Sequence, residues 1–269
     1  MLGLTLGWVA VATSYYIVQT KKKACPLDAT KTEIALGSAV KAASLEDAFV
    51  LLKKREDKKA VAIFDQILKV QPDNIKALWG KAEVLRRSYE FKGAEKLLDE
   101  ILKKDPANLS AINSLAYIRY KDDLLDESLK LVNQVLKCSP DKENEALAYM
   151  MLGTINSKRS SKGGFFSKIK YGTQIKGYFL KARDIDPDMP EVHLGLGTFY
   201  LKAPSIVGGD LDKAIQELEV AVKLAPEFAT ANARLAQAYK KKGDTEKFNY
   251  YYEKAKKLDP ENETLRELK

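Results

Sequence analysis

The sequence holds few of the residues from which catalytic and metal sites are most often built. Of its 269 residues only one is a histidine and two are cysteines. A Ser-His-Asp triad or a histidine-rich metal site would have to be built around His193 alone. Cys25 and Cys138 lie far apart in the sequence and do not indicate a disulfide framework or a zinc site. The composition therefore argues against an enzyme, and we expect no cofactor and no bound metal.

A strong excess of charge of one sign is also absent. The 45 basic and 37 acidic residues leave a net charge of +8, which is small for a chain of this length. Such an excess permits contact with acidic proteins or lipid head groups but gives no reason to expect nucleic acid. Because 45% of the residues are apolar and 30% are charged, most of the chain is expected to fold around a core.

The N-terminal segment, residues 1–20, contains no charged side chain, and Lys21, Lys22 and Lys23 follow it directly. A helix of about 20 apolar residues spans the hydrocarbon core of a bilayer, and cations at its end favour the head groups. We predict a transmembrane anchor over residues 1–20, a linker over 21–42 and a helical domain over 43–269. Because the lysines follow the apolar run, the positive-inside rule places this domain in the cytoplasm.

Two alternatives to a membrane anchor stay open. A cleaved signal peptide would place the domain in the periplasm, but its basic residues normally precede the apolar run, and no small-residue cleavage site lies before Lys21. A buried helix is the other alternative.

Proline recurs at a regular interval through the rest of the chain. The interval is about 34 residues in most cases, and two of the gaps are longer. A fixed period with two insertions indicates a solenoid of repeated units. The prolines in this register are Pro72, Pro106, Pro140, Pro187, Pro226 and Pro260.

Apolar residues keep the same register before each proline. Positions twelve, eight and five residues before it, such as Ala94, Leu98 and Ile101, fall on one helical face. An earlier helix in each repeat carries a small residue that would allow the two helices to approach closely. These small positions are Ala48, Ala82, Ala116, Gly153, Gly197 and Ala236.

The segments ALWGKAEVL, YMMLGTI, LGLGTFYLKAP and ARLAQAYKKKGD carry a pattern that resembles the tetratricopeptide repeat (TPR) family over about residues 43–260. The resemblance implies an all-α, right-handed superhelical solenoid of about six helix pairs, here preceded by the predicted transmembrane helix. First helices of such a solenoid line a concave groove that binds peptides or partner proteins. We therefore expect a membrane-anchored, non-enzymatic scaffold, adaptor or assembly subunit.

The C-terminal stretch KAPSIVGGDLDKAIQELEVAVKLAP is also similar to the T component of TRAP transporters. That similarity implies, as an alternative, a periplasmic accessory protein that handles solutes. The lipoprotein signal expected of such a protein is not matched at Cys25, because lysines occupy positions where apolar residues are expected.

Residues near the small positions are candidates for contact with a partner in the groove. Several are basic and stand five residues after a small position, so they form either a rail for an acidic peptide or cations that favour the helix dipoles. Trp79 and Tyr117 are expected to be the main anchors, since aromatic residues dominate many interfaces. The groove candidates are Trp79, Glu83, Arg87, Tyr117, Tyr120, Lys121, Thr198, Lys202, Gln237 and Lys241.

The longer insertion, residues 157–173, mixes cations with aromatic rings and has no acidic residue. As a loop it would suit a membrane interface or an acidic protein partner. Alternatively, Phe165, Phe166 and Ile169 fold back on the solenoid as a plug and leave the lysines solvated. The candidate loop residues are Lys162, Phe165, Phe166, Lys168 and Lys170.

The shorter insertion contains Gly208 and Gly209, which we interpret as a turn and not as a phosphate-binding loop. A phosphate loop of the Walker type follows a strand and ends in Gly-Lys-Ser or Gly-Lys-Thr. Here Pro204 is expected to end one helix, the glycines to allow positive φ, and Asp210 to cap the next helix.

Overall fold

The computed structural model describes residues 42–138 and 140–268. The predicted anchor over residues 1–20 and all but the last residue of the predicted linker lie outside these ranges. Among the described helices, none combines the length and the apolar character that a membrane crossing requires. The anchor therefore stays a prediction from the sequence.

Within the described ranges the chain forms thirteen α-helices and no β-strand. They are α1 (Ala42–Lys53), α2 (Asp57–Val70), α3 (Ile75–Arg87), α4 (Phe91–Lys104), α5 (Leu109–Lys121), α6 (Leu125–Lys137), α7 (Lys142–Lys162), α8 (Phe165–Ile185), α9 (Pro190–Lys202), α10 (Leu211–Leu224), α11 (Ala229–Lys242), α12 (Thr245–Leu258) and α13 (Glu263–Arg266). The first twelve form six consecutive pairs, as the resemblance implied, and α13 closes the stack.

Polar side chains fix where several first helices begin. Asn74 and Asn108 accept hydrogen bonds from the backbone N–H groups of Ala77 and Ala111, at 3.1 and 3.0 Å. Asn262 caps the short α13 through the N–H of Thr264 at 3.1 Å. Each such bond satisfies one of the donors that a helix start leaves without a partner.

Contacts between the two helices of a pair explain the small positions. All six small positions are buried. A Cβ added at Gly197 would lie 2.5 Å from Cγ of Leu218, and one added at Gly153 would lie 2.8 Å from the Phe179 ring. Leu98, Ile101 and their equivalents fill the core on the second helices. The predicted register of the repeats is confirmed.

The first helices of successive pairs contact one another, and α1, α3, α5, α7, α9 and α11 form a continuous inner row. No comparable contact joins consecutive second helices among the residues described. First helices therefore lie on the inner side of the curve, and their exposed faces form the groove that the resemblance implied.

The two insertions differ in structure. Residues 157–173, predicted to be either a binding loop or a plug, extend both helices of the fourth pair to 21 residues each and leave only Gly163 and Gly164 between them. Phe165, Phe166 and Ile169 are exposed. The plug alternative is therefore wrong, because these side chains do not fold back on the solenoid.

The shorter insertion is a turn, as predicted. Asp210 caps α10 through the backbone N–H of Lys213 at 3.1 Å. Gly208 has φ of +100°, whereas Gly209 does not adopt positive φ. Gly209 is needed for space, since a Cβ there would lie 1.8 Å from the carbonyl oxygen of Ala203.

Replacing Ala94 by leucine tests the contact between α3 and α4. Ala94 is fully buried, so the larger side chain should overpack the site and lower the free energy of unfolding by about 1–3 kcal/mol. Lys96→Leu, on the exposed face of the same helix, is the matched control and should change stability little. Thermal or denaturant unfolding measures both, and equal midpoints for the two variants would contradict the register.

Candidate partner-binding face

A buried polar chain joins α3 to α5 on the inner face. Arg86 donates two hydrogen bonds to the carboxylate of Glu83, at 2.9 and 2.6 Å. Ser114 donates to the same carboxylate at 2.6 Å and accepts from Nε1 of Trp79 at 3.0 Å. Burial would raise the pKa of Glu83, but Arg86, Arg87 and Ser114 lower it to about 2. Glu83 is therefore ionised and tied to its own protein, and Trp79 packs between repeats.

A second cluster joins the first repeats to the fifth and sixth. Nη2 of Arg55, just after α1, lies 2.5 Å from Oε1 of Glu191 at the start of α9, 136 residues away in sequence. Nη2 of Arg87 lies 3.9 Å from the same oxygen. The Arg55 guanidinium also stands 3.9 Å from the ring centre of Phe228. We call Arg55, Arg87, Glu191 and Phe228 the closure cluster, because they bridge the two ends of the inner face.

The charges in the closure cluster are largely shielded from water. Burial and the neighbouring Arg87 lower the pKa of Arg55 to about 10, so the guanidinium remains charged at neutral pH. Burial raises the pKa of Glu191, but the charges of Arg55 and Arg87 outweigh this effect and keep the net pKa below its usual value. A buried pair of this kind is costly to break from one side only.

Arg55 belongs to a series of strained turn residues. Arg55, Tyr89 and Asp123 have φ of 68°, 63° and 69°, and they occupy equivalent turns in the first three pairs. The turn of the sixth pair has Gly243 with φ of 83°. A left-handed residue with a side chain costs roughly 1–2 kcal/mol relative to the right-handed conformation. Contacts offset this cost: Arg55 reaches Glu191, and Asp123 pairs with Lys158 and Lys162.

Five of the six cations that stand five residues after a small position are engaged within the protein. We call these six residues the basic row; they are Lys53, Arg87, Lys121, Lys158, Lys202 and Lys241. Three of its members donate to a carbonyl at the end of the preceding first helix, namely Arg87 to Leu52 at 2.7 Å, Lys158 to Tyr120 at 2.9 Å and Lys241 to Leu201 at 3.3 Å. Two others pair with the C-terminal segment, Lys121 with Glu263 at 3.0 Å and Lys202 with Glu267 at 2.9 Å. These contacts favour the helix-end interpretation of the row over a free rail.

The remaining groove candidates are half-buried. The Arg86 guanidinium lies 4.2 Å from the ring centre of Tyr117, whose ring is 6.1 Å from that of Tyr120. Thr198 lies on α9, and Gln237 on α11 accepts a hydrogen bond from Arg234 at 2.8 Å. Tyr117 and Tyr120 are therefore aromatic residues of the first helices that solvent still reaches in part.

Sequence reasoning missed Arg55, Arg86, Glu191 and Phe228. Arg55 could have been identified from the regular spacing of the repeats, because it occupies the turn position at which the sixth pair has Gly243. A large charged side chain at a position that favours glycine indicates a contact that offsets the strain.

His193 has a structural role. It is buried, its Nδ1 lies 2.6 Å from Oε2 of Glu217, and its Nε2 lies 2.7 Å from the carbonyl oxygen of Pro187. Both partners are acceptors, so they favour the protonated ring, which donates from both nitrogens. Burial lowers the pKa of His193, but these two hydrogen bonds outweigh it and raise the net pKa above 6.5. A histidine held in this way has no free nitrogen with which to act as a general base.

Comparison with known proteins agrees with this architecture. Two tetratricopeptide repeat models match residues 51–116 and residues 229–262. The chain contains tetratricopeptide repeats. The structure of TTC0263, a TPR protein of Thermus thermophilus, superposes with a TM-score of 0.57 at 21% identity over 72% of this chain and 96% of that one. The human IFIT1 dimer with PPP-AAAA gives 0.57 at 20% identity over 84% of this chain and 51% of that one.

Curated relatives match only in part. The DnaJ homolog subfamily C member 7 homolog of Dictyostelium discoideum is 30% identical over 127 residues, 47% of this chain and 23% of that protein. The chloroplastic tetratricopeptide repeat domain-containing protein PYG7 of Arabidopsis thaliana is 35% identical over 81 residues, 30% of this chain and 25% of that protein. The chain thus spans about a quarter of the length of these relatives. None of the four proteins named here is a transporter T component, and that similarity has no further support.

The pairing of His193 with Glu217 predicts a pH-dependent contribution to stability. Because the folded pKa of His193 is raised, the contribution is fully present below the unfolded value of about 6.5 and is lost as pH rises through the folded pKa. Burial raises the pKa of Glu217, but the hydrogen bond and charge of His193 and the charge of Arg183 outweigh it and keep the net pKa below its usual value, so Glu217 does not titrate in this range. His193→Gln should therefore lower the thermal midpoint most near pH 6 and progressively less towards pH 9. A midpoint difference that is constant over this range would contradict the charged pair.

Proposed function

We propose that this protein is a non-catalytic TPR scaffold that binds a partner protein on the face lined by its first helices. The observation that carries the proposal is the continuous inner row of first helices in a chain with tetratricopeptide repeats at both ends. Stacked repeats create extended concave surfaces that suit protein or peptide partners. In the part of the chain that the structure describes, no group of histidine, cysteine and carboxylate side chains has a metal-binding arrangement.

The chemistry of the inner face favours a partner with carboxylates. Arg55, Arg86 and Arg87 lie close together, and the Nε atoms of Arg55 and Arg87 are buried without an acceptor. A buried donor without a partner costs about 1–3 kcal/mol. If the closure cluster opens, a carboxylate or carbonyl group from a partner would reach these donors and compete with Glu191 for the arginines.

An acidic partner would also meet the C-terminal segment. Glu263 and Glu267 already pair with Lys121 and Lys202, and Arg234 donates to Glu267 at 2.7 Å. These contacts lower the pKa of Glu267 to about 2, with the Arg234 hydrogen bond as the largest cause. A peptide that binds along the basic row would have to displace these two glutamates, so the inner face near Tyr117 is the better site for first contact.

Membrane attachment is part of the proposal and rests on the sequence alone. The uncharged residues 1–20 and the lysines after them suit a single-pass anchor with the solenoid in the cytoplasm. A solute-handling role in the periplasm is the less favoured alternative. It would need an enclosed apolar pocket, whereas the depression lined by Asp65, Leu68, Lys69 and Lys81 is open to solvent and has three charged side chains among its four lining residues.

The test is affinity purification of the full chain in mild detergent, with a face-specific variant and a matched control. Tyr117→Ala removes a half-buried ring from the inner face. Tyr250→Ala removes an exposed ring from α12, which is the second helix of its pair and lies outside the inner face. Proteins that are retained by the wild type and by Tyr250→Ala, but lost with Tyr117→Ala, are partners of the inner face. Truncation of an aromatic anchor typically weakens binding by about 2 kcal/mol or more.

Binding of each recovered partner is then measured with purified components. Thermal midpoints of both variants must be compared with that of the wild type, because Tyr117 is half-buried. The scaffold proposal fails if the stable variants retain the same proteins as the wild type, or if no protein is retained by the wild type.

A further inference from the structure

The fourth helix pair projects beyond its neighbours. Helices α7 and α8 have 21 residues each, whereas α5 and α9 have 13. Eight additional residues at 1.5 Å each extend a helix by about 12 Å. The pair therefore ends in a helical hairpin tip, defined here as residues 157–173, on the edge of the solenoid where each first helix turns into its second helix.

The tip exposes large apolar side chains at its end. Phe165 and Phe166 are 71% and 83% exposed, and Ile169, one helical turn later, is 51% exposed. The two rings touch each other, with centres 5.8 Å apart. Residues separated by four positions share a helical face, so Phe165 and Ile169 form a short apolar strip at the start of α8.

Cations surround this strip, and the long stretch of α7 and α8 on either side of it carries no carboxylate. From Ala146 to Arg183 the chain has eight basic and no acidic residues. On α7 these charges are neutralised from the third pair: Lys158 and Lys162 bind Asp123, and Arg159 binds Asp126. These ion pairs brace α7 against the third pair.

The described cations of α8 that lie in or nearest the tip are not neutralised by ion pairs. No ion pair to Lys170 or Lys176 on α8 is present among the residues that the structure describes, and Lys170 is exposed. Lys168, the other predicted cation of this helix, lies outside the side chains that the structure describes. The face of α8 that reaches solvent thus combines apolar rings with uncompensated positive charge.

A neighbouring turn adds to the apolar surface on the same edge. Ile206 and Val207, in the turn between α9 and α10, are 92% and 57% exposed. This turn lies close to the middle of α8, because Nζ of Lys176 is 3.8 Å from the position that a Cβ on Gly208 would occupy. Two consecutive pairs therefore present apolar side chains at the same edge of the solenoid.

We propose that the hairpin tip binds the surface of an anionic lipid bilayer, with the Phe165 and Phe166 rings in the interface and Lys170 at the head groups. Charge complementarity favours this partner. The basic side chains match the anionic head groups, and the aromatic rings match the apolar acyl region directly beneath them. Apolar faces of interfacial helices are buried about 5–10 Å deep, a depth that the projecting tip can reach while the solenoid stays in water.

The test is hydrogen exchange with mass spectrometry on the full chain mixed with lipid vesicles. Vesicles of phosphatidylcholine alone are compared with vesicles in which part of it is replaced by phosphatidylglycerol, so any insertion of residues 1–20 is common to both. Amides of residues 157–173 should exchange more slowly with the anionic vesicles, and added salt should remove this protection. Phe165→Ser with Phe166→Ser should abolish the protection.

Charge is tested by Lys170→Glu, which should lower the tip's protection factor by about fivefold or more. Val70→Ser and Lys257→Glu change an exposed apolar and an exposed basic side chain elsewhere and should leave the protection unchanged. Equal exchange of the tip with both kinds of vesicle would overturn the proposal. So would protection of the tip by a partner protein but not by anionic lipid, which would make the tip a protein-docking element.

Discussion

The structure depends on the close contact between the two helices of each pair, where a small residue on the first helix meets a large one on the second. Gly197 against Leu218 and Gly153 against Phe179 leave no space for an added methyl group. The Phe179 ring also contacts Gly195 on the next first helix, where a Cβ would lie 2.7 Å from it. One side chain thus fixes two interfaces, within a pair and between pairs, so an error at one position would change the path of the whole stack.

The path set by these contacts brings distant repeats together. After four pairs the end of α1 faces the start of α9, and the end of α5 faces α13. Arg55, Glu191 and Phe228 form the first of these bridges, and Lys121 with Glu263 forms the second. The bridges consist of long side chains and little direct helix packing. The inner face is therefore closed by interactions that a partner with its own carboxylates could replace.

The sequence alone could predict the features that repeat. The period of the prolines located the pairs, the small positions and the buried residues, and local rules identified the cap at Asp210. It could not predict the closure cluster, because contact between Arg55 and Glu191 depends on small rotations summed over four pairs. Residues 157–173 were predicted as an insertion that forms either a binding loop or a packing plug, and the continuation of both helices into it was not predicted. Ion pairs from Asp123 and Asp126, both outside the insertion, support helix there instead.

The same contacts explain why several predicted groove residues have internal partners. Trp79 and Glu83 hold α3 to α5, and Arg87 caps the end of α1. The distance of a residue from the small position in the sequence thus predicts that it lies on the inner face. It does not predict whether its polar atoms already have partners within the protein. The structure of the inner face depends on the path that the solenoid follows from α1 to α13. Carbodiimide cross-linking of the full chain, followed by mass spectrometry, tests it most directly, because it joins only amines and carboxylates in contact. We expect an amide between Lys121 and Glu263, whose Nζ and Oε1 are 3.0 Å apart, together with the local cross-link, meaning the pair closer in sequence, Lys202 and Glu267. Recovery of the local cross-link without the Lys121–Glu263 cross-link would contradict the closed path.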